Sequence, residues 1–312
     1  MRLVIMGSGG VGGYFGARLA EAGHEVTFIA RGEHLAAMRR DGLRVSSIEG
    51  DLHLSGVSAT AEPHEVGPVD VDTVIVAVKA WQVMEAAEAI RPLVGPETLV
   101  VPLENGVEAA DILAEALGER HVLEGLCGIL AWKAAPGHIK HAGVSPFVRF
   151  GERDNRKSQR CERLKAAFDA ARGVTAEIPD NIQAAVWSKF LFICAMSGIG
   201  SITRASIGVT RRLPETRVMI QQVLAEIAAV ARARGVALPE DAEARALGFI
   251  DALPEASTAS MQRDIMAGRP SELASQNGAV VRLGREVGVD TPVNALIHAA
   301  LLPQEHEARS ME

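Results

Sequence analysis

The sequence predicts an α/β fold, a doubly wound parallel sheet in the N-terminal part joined to an all-helical C-terminal part. Three observations carry that expectation. Strand-like and helix-like segments alternate from residue 3 to about residue 171, a glycine pattern links the first strand to the first helix, and almost every segment after Ile178-Pro179-Asp180 has helical character. Alternation of this kind is what a parallel sheet with crossover helices requires. A chain of 312 residues is also long for one average domain, so two are expected, over 1–179 and 180–312.

The first element explains the N-terminal half. An apolar strand over 3–6 is followed by Gly7, Gly9 and Gly12 in the pattern G-x-G-x-x-G, then by an amphipathic helix to about Ala22, a stop at Gly23 and a second strand over 24–30. Gly7 suits a tight turn, Gly9 the close approach of backbone to a pyrophosphate, and Gly12 tight helix–strand packing. With that context the segment reads as a dinucleotide site of the Rossmann type. Its cofactor residues would be Gly7, Ser8, Gly9, Gly10, Val11 and Gly12, with the pyrophosphate on the helix N-terminus. The second strand ends on Arg31, where sites for NAD usually carry an acid that holds the ribose 2′-hydroxyl. An arginine there suits a 2′-phosphate, so NADP is the expected cofactor; the plainer alternative is a solvated arginine opening a loop.

The remaining elements follow in order. Segments 43–47 and 51–57 around Glu49-Gly50 read as a hairpin, and 73–78 and 98–103 as buried parallel strands. Helices are expected over 80–91 and 107–117, further strands near 121–133, 138–142 and 146–150, and a helix over 157–171. In the second half the pattern predicts helices over 181–197, 215–234, 240–252, 257–267 and 271–287. Gly235 and Gly288 fall at C-terminal ends, with Pro239 and Pro270 near starts. The polar stretch after Leu302 is expected to fray.

Composition narrows the function classes. The net charge of −7, without basic tracts or interleaved aromatics, argues against nucleic acid or an anionic membrane as partner. No segment is expected to reach the roughly 20 apolar residues of a membrane span, and no signal peptide is expected before the first strand. Cys127, Cys161 and Cys194 are odd in number and far apart. That spacing suits reduced thiols in a cytoplasmic protein and neither a disulfide framework nor a metal site.

Ligands in doubly wound sheets lie beyond the carboxyl ends of the strands. Lys79 and Asn105 sit at two such ends. Lys79 either neutralises a phosphate, with Gln82 touching the adenine end, or is an ordinary loop lysine. Asn105 is either a ligand contact or half of an Asn-Gly turn. In the second half, Lys189 lies on the 181–197 helix with Ala185, Ile193, Ile182 and Met196 at helical spacings. A lysine on so apolar a stripe either snorkels or is buried for function. Burial would lower its pKa and prepare an ammonium to donate a proton near neutral pH. Glu272 at the start of the last predicted helix has an ordinary reading as a dipole-complementing acid, and Ser260 as a solvated helix serine.

Taken together these residues resemble the ketopantoate reductase (2-dehydropantoate 2-reductase) family. The matching pieces are Gly7-Ser8-Gly9-Gly10-Val11-Gly12-Gly13, Arg31, Val78-Lys79-Ala80-Trp81-Gln82 and Asn105-Gly106. They continue with Pro136-Gly137-His138-Ile139, His141-Ala142-Gly143, Trp187-Ser188-Lys189, and Ser260-Met261-Gln262 with Glu272 twelve residues on. The resemblance implies a Rossmann domain and a helical domain with the substrate in the cleft between them. It further implies NADPH-dependent reduction of a small-molecule 2-oxo acid in pantothenate biosynthesis. Lys189 would be the general acid, Ser260 and Glu272 partners of substrate or lysine, and Asn105 a residue at the cofactor–substrate junction. In one respect the chain departs from the family, which places Asn four residues after the lysine and usually again four later; here these positions hold Ile193 and Ser197. Glu104 likewise replaces a neutral residue. The departure leaves open a paralogue that reduces a more apolar oxo acid, ketone or imine. A non-enzymatic NADP-binding sensor is the other reading, and the retention of Lys189, Ser260 and Glu272 argues against it. The apolar helices of the second half leave room for a homodimer.

Overall fold

The computed structural model describes residues 1–67 and 70–311. Two compact units emerge, one of residues 1–104 and 108–182, the other of residues 105–107 and 183–312.

The first unit runs β1 (Arg2–Met6), α1 (Gly10–Glu21), β2 (Glu25–Ile29), α2 (Gly32–Asp41), β3 (Leu43–Ser47), β4 (Leu52–Leu54), β5 (Ser58–Thr60), β6 (Thr73–Val76) and α3 (Val83–Ile90). It continues through β7 (Leu99–Pro102), α4 (Ala109–Leu117), β8 (Leu123–Ala135), β9 (His138–Glu152), α5 (Gln159–Asp169) and β10 (Thr175–Glu177). One sheet has the order β5-β2-β1-β6-β7, parallel throughout. The chain winds outward from β1 on one side and then returns to build β6 and β7 on the other. The switch point therefore lies between β1 and β6, at the mouth of the glycine turn.

Side-chain alternation on β1 shows why the strand is apolar at every buried position. Leu3 and Ile5 pack with Phe15, Leu19 and Phe28 on one face, while Val4 and Met6 join Val74, Val76, Val83 and Leu113 on the other. A strand covered on both faces has no solvated side for polar residues. The second sheet, β10-β9-β3-β4 with β8 paired to β9, contributes Val45, Ile139 and Phe150 to the same core as Phe15. Helix α1 is thus packed between two sheets. The segments read from sequence as separate strands near 138–142 and 146–150 are one strand, β9. The break in pattern marks an irregularity at Gly143, whose φ is +82°.

The second unit comprises α6 (Ile182–Thr203), α7 (Ile207–Thr210), α8 (Pro214–Ala233), α9 (Ala242–Ala252), α10 (Ser260–Met266), α11 (Asn277–Val287) and α12 (Pro292–Ser310). Its core gathers Leu191, Ala195, Ile199, Ile220, Leu224, Ile227, Val280, Ile297 and Leu301. Three expectations are corrected here. Helix α6, 22 residues long, is after all apolar and long enough to cross a membrane by length and composition, although 67% of its most apolar window is buried inside the protein. The polar tail does not fray at Leu302, because α12 continues to Ser310 and turns Glu305 inward, 5% exposed. Glu305 accepts hydrogen bonds from Ser271 N at 3.1 and 3.0 Å and from Ser271 Oγ at 2.5 Å, and Arg309 pairs with it at 2.7 Å. Lastly, the helix expected over 271–287 starts only at Asn277, so Glu272 lies in the turn before it.

Candidate active site

The glycine turn has the geometry its sequence demands. Gly7 has φ +98°, and a Cβ there would stand 2.7 Å from the carbonyl oxygen of Ala77; a Cβ on Gly12 would stand 2.1 Å from the carbonyl oxygen of Gly7. Gly9, which caps the N-terminus of α1, meets nothing within 4 Å of its virtual Cβ. Protein packing therefore does not require glycine at that position, and the space over its backbone is open, as a dinucleotide turn needs. Gly10 opens α1, with its virtual Cβ 2.3 Å from the carbonyl oxygen of Ala131, and Val11 follows it into the helix. Ser8 is buried and its hydroxyl donates to the Ile29 carbonyl at 2.9 Å, so its side chain serves the turn itself.

Beside this turn lies a cavity of about 270 Å³ whose wall includes Gly7, Gly9, Arg31, His34, Gln82, Glu85 and Lys133. The open space over Gly9, the helix N-terminus and the cations fit one end of a dinucleotide. Arg31 stands at the carboxyl end of β2 and caps α2; its guanidinium pairs with Glu85 at 3.0 Å, both side chains being well exposed. Gln82 lines the cavity and its Oε1 accepts from Lys79 N at 3.3 Å. The Lys79 ammonium itself lies 5.6 Å from the centre of the Trp81 ring.

His34, Glu85 and Lys133 were not singled out in the sequence. His34 is buried, receives the Gly137 N–H on Nδ1 at 2.9 Å, and so presents an Nε2 proton to the Ser8 carbonyl at 2.8 Å. Burial, chiefly, and the nearby charge of Lys133 hold its pKa below the usual histidine value. It is a neutral strut that ties the glycine turn to the β8–β9 hairpin. A lone histidine in a helix offers no pattern from which that role could be read.

In the second unit, Lys189, Asn105 and Glu272 form one hydrogen-bonded row. Lys189 Nζ donates to Asn105 Oδ1 at 3.0 Å, and Asn105 Nδ2 donates to Glu272 Oε2 at 3.2 Å. Asn105 belongs to this unit through the short segment 105–107, which leaves the sheet after β7; Gly106 allows the turn with φ +125°. The amide can sit only one way round, because reversing it would point its NH₂ at the ammonium and its oxygen at the carboxylate. Glu272 is 6% exposed and also accepts from Gln276 Nε2 at 3.2 Å; Gln276 is wholly buried, and its Oε1 has no hydrogen-bond partner among the described residues. Gln276 is a further site residue the sequence did not announce, legible only as a polar residue four positions after Glu272.

Along α6, Ile193 stands one turn beyond Lys189, half-buried, and Ser197 one turn further, 1% exposed. Cys194 is fully buried, and burial together with the charge of Glu272 pushes its thiol well above the ordinary range, which makes it an unreactive neighbour. Ser260, the first residue of α10, is exposed and has no hydrogen bond to Lys189 or Glu272 among the described residues. The structure thus joins three of the four residues expected to act on the substrate and leaves Ser260 outside their network.

Two models of known families match the chain: "Ketopantoate reductase PanE/ApbA" over residues 3–155 and "Ketopantoate reductase PanE/ApbA C terminal" over residues 181–305. A crystal structure of a PanE/ApbA family ketopantoate reductase from Ralstonia eutropha JMP134 is 34% identical and superimposes with a TM-score of 0.89, covering 99% of this chain and 100% of that one. Among curated proteins, an uncharacterized oxidoreductase, YkpB, of Bacillus subtilis is 30% identical over 98% of this chain and 100% of its own length. A 2-dehydropantoate 2-reductase of Mesorhizobium japonicum is 29% identical, with 94% of each chain covered.

Proposed function

The chain belongs to the ketopantoate reductase family, and on that premise we propose that it is an NADPH-dependent reductase of 2-dehydropantoate or a related 2-oxo acid. The observation that carries this reading is the Lys189–Asn105–Glu272 row, a cation relayed through one amide to a buried carboxylate. Bound NADPH supplies a hydride to the carbonyl carbon of the substrate. As the C=O electron pair moves onto oxygen, Lys189 gives that oxygen a proton from Nζ, and the product is the 2-hydroxy acid. Asn105 fixes the direction of the ammonium, and Glu272 fixes Asn105. The turn at Gly7–Gly12 and the adjoining cavity would hold the cofactor, with Arg31 and Gln82 on its wall. The relative from Mesorhizobium japonicum, a 2-dehydropantoate 2-reductase by name, supports the substrate class.

A second reading rests on Ile193. An isoleucine one turn from Lys189 offers the substrate no hydrogen bond, which favours a carbonyl compound more apolar than ketopantoate. One experiment separates the two: oxidation of NADPH by the purified protein against a panel of hydroxylated and apolar 2-oxo acids, ketones and imines. Preferential turnover of ketopantoate supports the first reading, and preference for an apolar acid supports the second. No turnover with any carbonyl, despite tight NADPH binding, would overturn both in favour of a cofactor-binding sensor.

A further inference from the structure

The wall of the cavity beside the glycine turn carries three charged side chains. Arg31 and Glu85 pair with each other at 3.0 Å, and their charges cancel. Lys133 reaches the same wall from β8, near enough to His34 for its charge to be felt there, and has no ion pair among the described residues. His34 adds no charge, because one ring nitrogen accepts from Gly137 N–H and the other is committed to the Ser8 carbonyl. The positive charge left over at this wall is therefore that of Lys133, even though sequence position points to Arg31.

We propose that Lys133 is the residue that sets the preference of this cavity for an adenosine ribose bearing a 2′-phosphomonoester, with Arg31 contributing only as far as the phosphate draws it away from Glu85. The assignment rests on the reading of the cavity as a dinucleotide site. A phosphate near neutral pH carries between one and two negative charges. A guanidinium already neutralised by a carboxylate gains little from such an anion unless the carboxylate gives way, and the carboxylate itself repels it. An ammonium without a counter-charge suffers neither loss. Lys133 sits on a strand tied across to Ile139 of β9, so its backbone is held by a paired hairpin while its side chain is exposed and open to a phosphate.

The test is direct titration of the full-length protein with NADPH, NADH, 2′-AMP and 5′-AMP, followed by calorimetry or by nicotinamide fluorescence where the probe has one. Lys133→Ala should weaken NADPH and 2′-AMP by about fivefold or more, the scale of one partly exposed charge contact, while NADH and 5′-AMP change less than twofold. Glu85→Gln should tighten NADPH and 2′-AMP and leave NADH unmoved. Equal weakening of NADPH and NADH by Lys133→Ala would place the lysine on the shared part of the dinucleotide and overturn the assignment. Unchanged NADPH affinity in that variant, with all preference lost in Arg31→Ala, would overturn it as well. Those results leave the cofactor reading intact, whereas failure of the unaltered protein to bind either dinucleotide would remove both.

Discussion

Lys189 donates to an amide that is itself anchored on a carboxylate, and that arrangement has chemical consequences. Asn105 accepts from Nζ and donates to Glu272, so the buried carboxylate orients the amide and the amide orients the ammonium. Lys189→Ala should lower the rate of hydride transfer by roughly 10²–10⁴ with NADPH affinity retained, as expected for loss of a general acid. A rate within a few-fold of the unaltered protein in a single-turnover measurement would reduce Lys189 to a helix-face lysine. Gln276 should matter less but measurably. Its wholly buried side chain donates to Glu272 while its own Oε1 lacks a hydrogen-bond partner among the described residues, so Gln276→Leu should cost about tenfold in kcat through a slackened Glu272. Such a variant should keep its thermal stability, and a drop in Tm without a drop in kcat would show that the residue only packs. At Ile193, the Ile193→Asn substitution should raise kcat/KM for ketopantoate relative to an apolar 2-oxo acid by several-fold, since one added hydrogen bond contributes about 0.5–1.5 kcal/mol. A ratio that does not move would show that other groups already meet the substrate's hydroxyl.

At the scale of elements, α12 has a role that its polar sequence conceals. Glu305 receives both the backbone N–H and the hydroxyl of Ser271, and Arg309 donates to the Ser271 carbonyl at 3.1 Å. Ser271 immediately precedes Glu272, so the last helix clamps the turn that carries the site carboxylate. Glu305→Ala would strand the Ser271 donors in a buried place, with an expected loss of about 2–4 kcal/mol in a urea titration. Activity measured well below the unfolding transition should fall too, whereas Glu305→Gln, which keeps an acceptor, should recover part of it. Undiminished activity in the folded Ala variant would separate α12 from the site. The glycine turn is an element of the opposite kind, one whose conformation the residues impose locally. With φ at +98° and a backbone oxygen in the way of any Cβ, Gly7 admits no side chain without moving the Ala77–Val78 segment that follows β6.

For the molecule as a whole, the stability of the first unit should depend on pH through Glu124. This residue on β8 is 9% exposed, and burial together with the charge of Asp111 pushes its carboxyl up from 4.5 to about 7, against an opposing pull from Arg153. A carboxyl with a raised folded pKa binds its proton more tightly in the folded chain. Its stabilising contribution is full below the unfolded value of 4.5 and is lost as pH rises through about 7. Unfolding midpoints in urea should therefore decline between about pH 5 and 8, and Glu124→Gln should flatten the decline and exceed the unaltered protein at pH 8. An unchanged slope in the variant would shift the titration to other groups.

What the sequence by itself determined was whatever depends on neighbours in the chain. The order of strands and helices, the turn at Gly7–Gly12, the apolar stripe around Lys189 and the change of character near Pro179 are all local patterns of period two or 3.6, or backbone shapes that only glycine takes. Their physical causes act within a few residues, so a linear reading reaches them. The tertiary structure decided everything that turns on which distant groups meet. It carried Asn105 out of the sheet and onto Lys189 and Glu272, 84 and 167 residues away. It buried Glu305, set Glu85 against Arg31 and brought Lys133 to the wall of the cavity beside the first turn. Composition made the tail beyond Leu302 look solvated, yet one buried carboxylate with three hydrogen bonds from Ser271 is enough to dock it. The difference has one origin: hydrogen bonds and charge pairs are specified by position in space, and a polar residue carries the same letter whether water or a buried partner satisfies it.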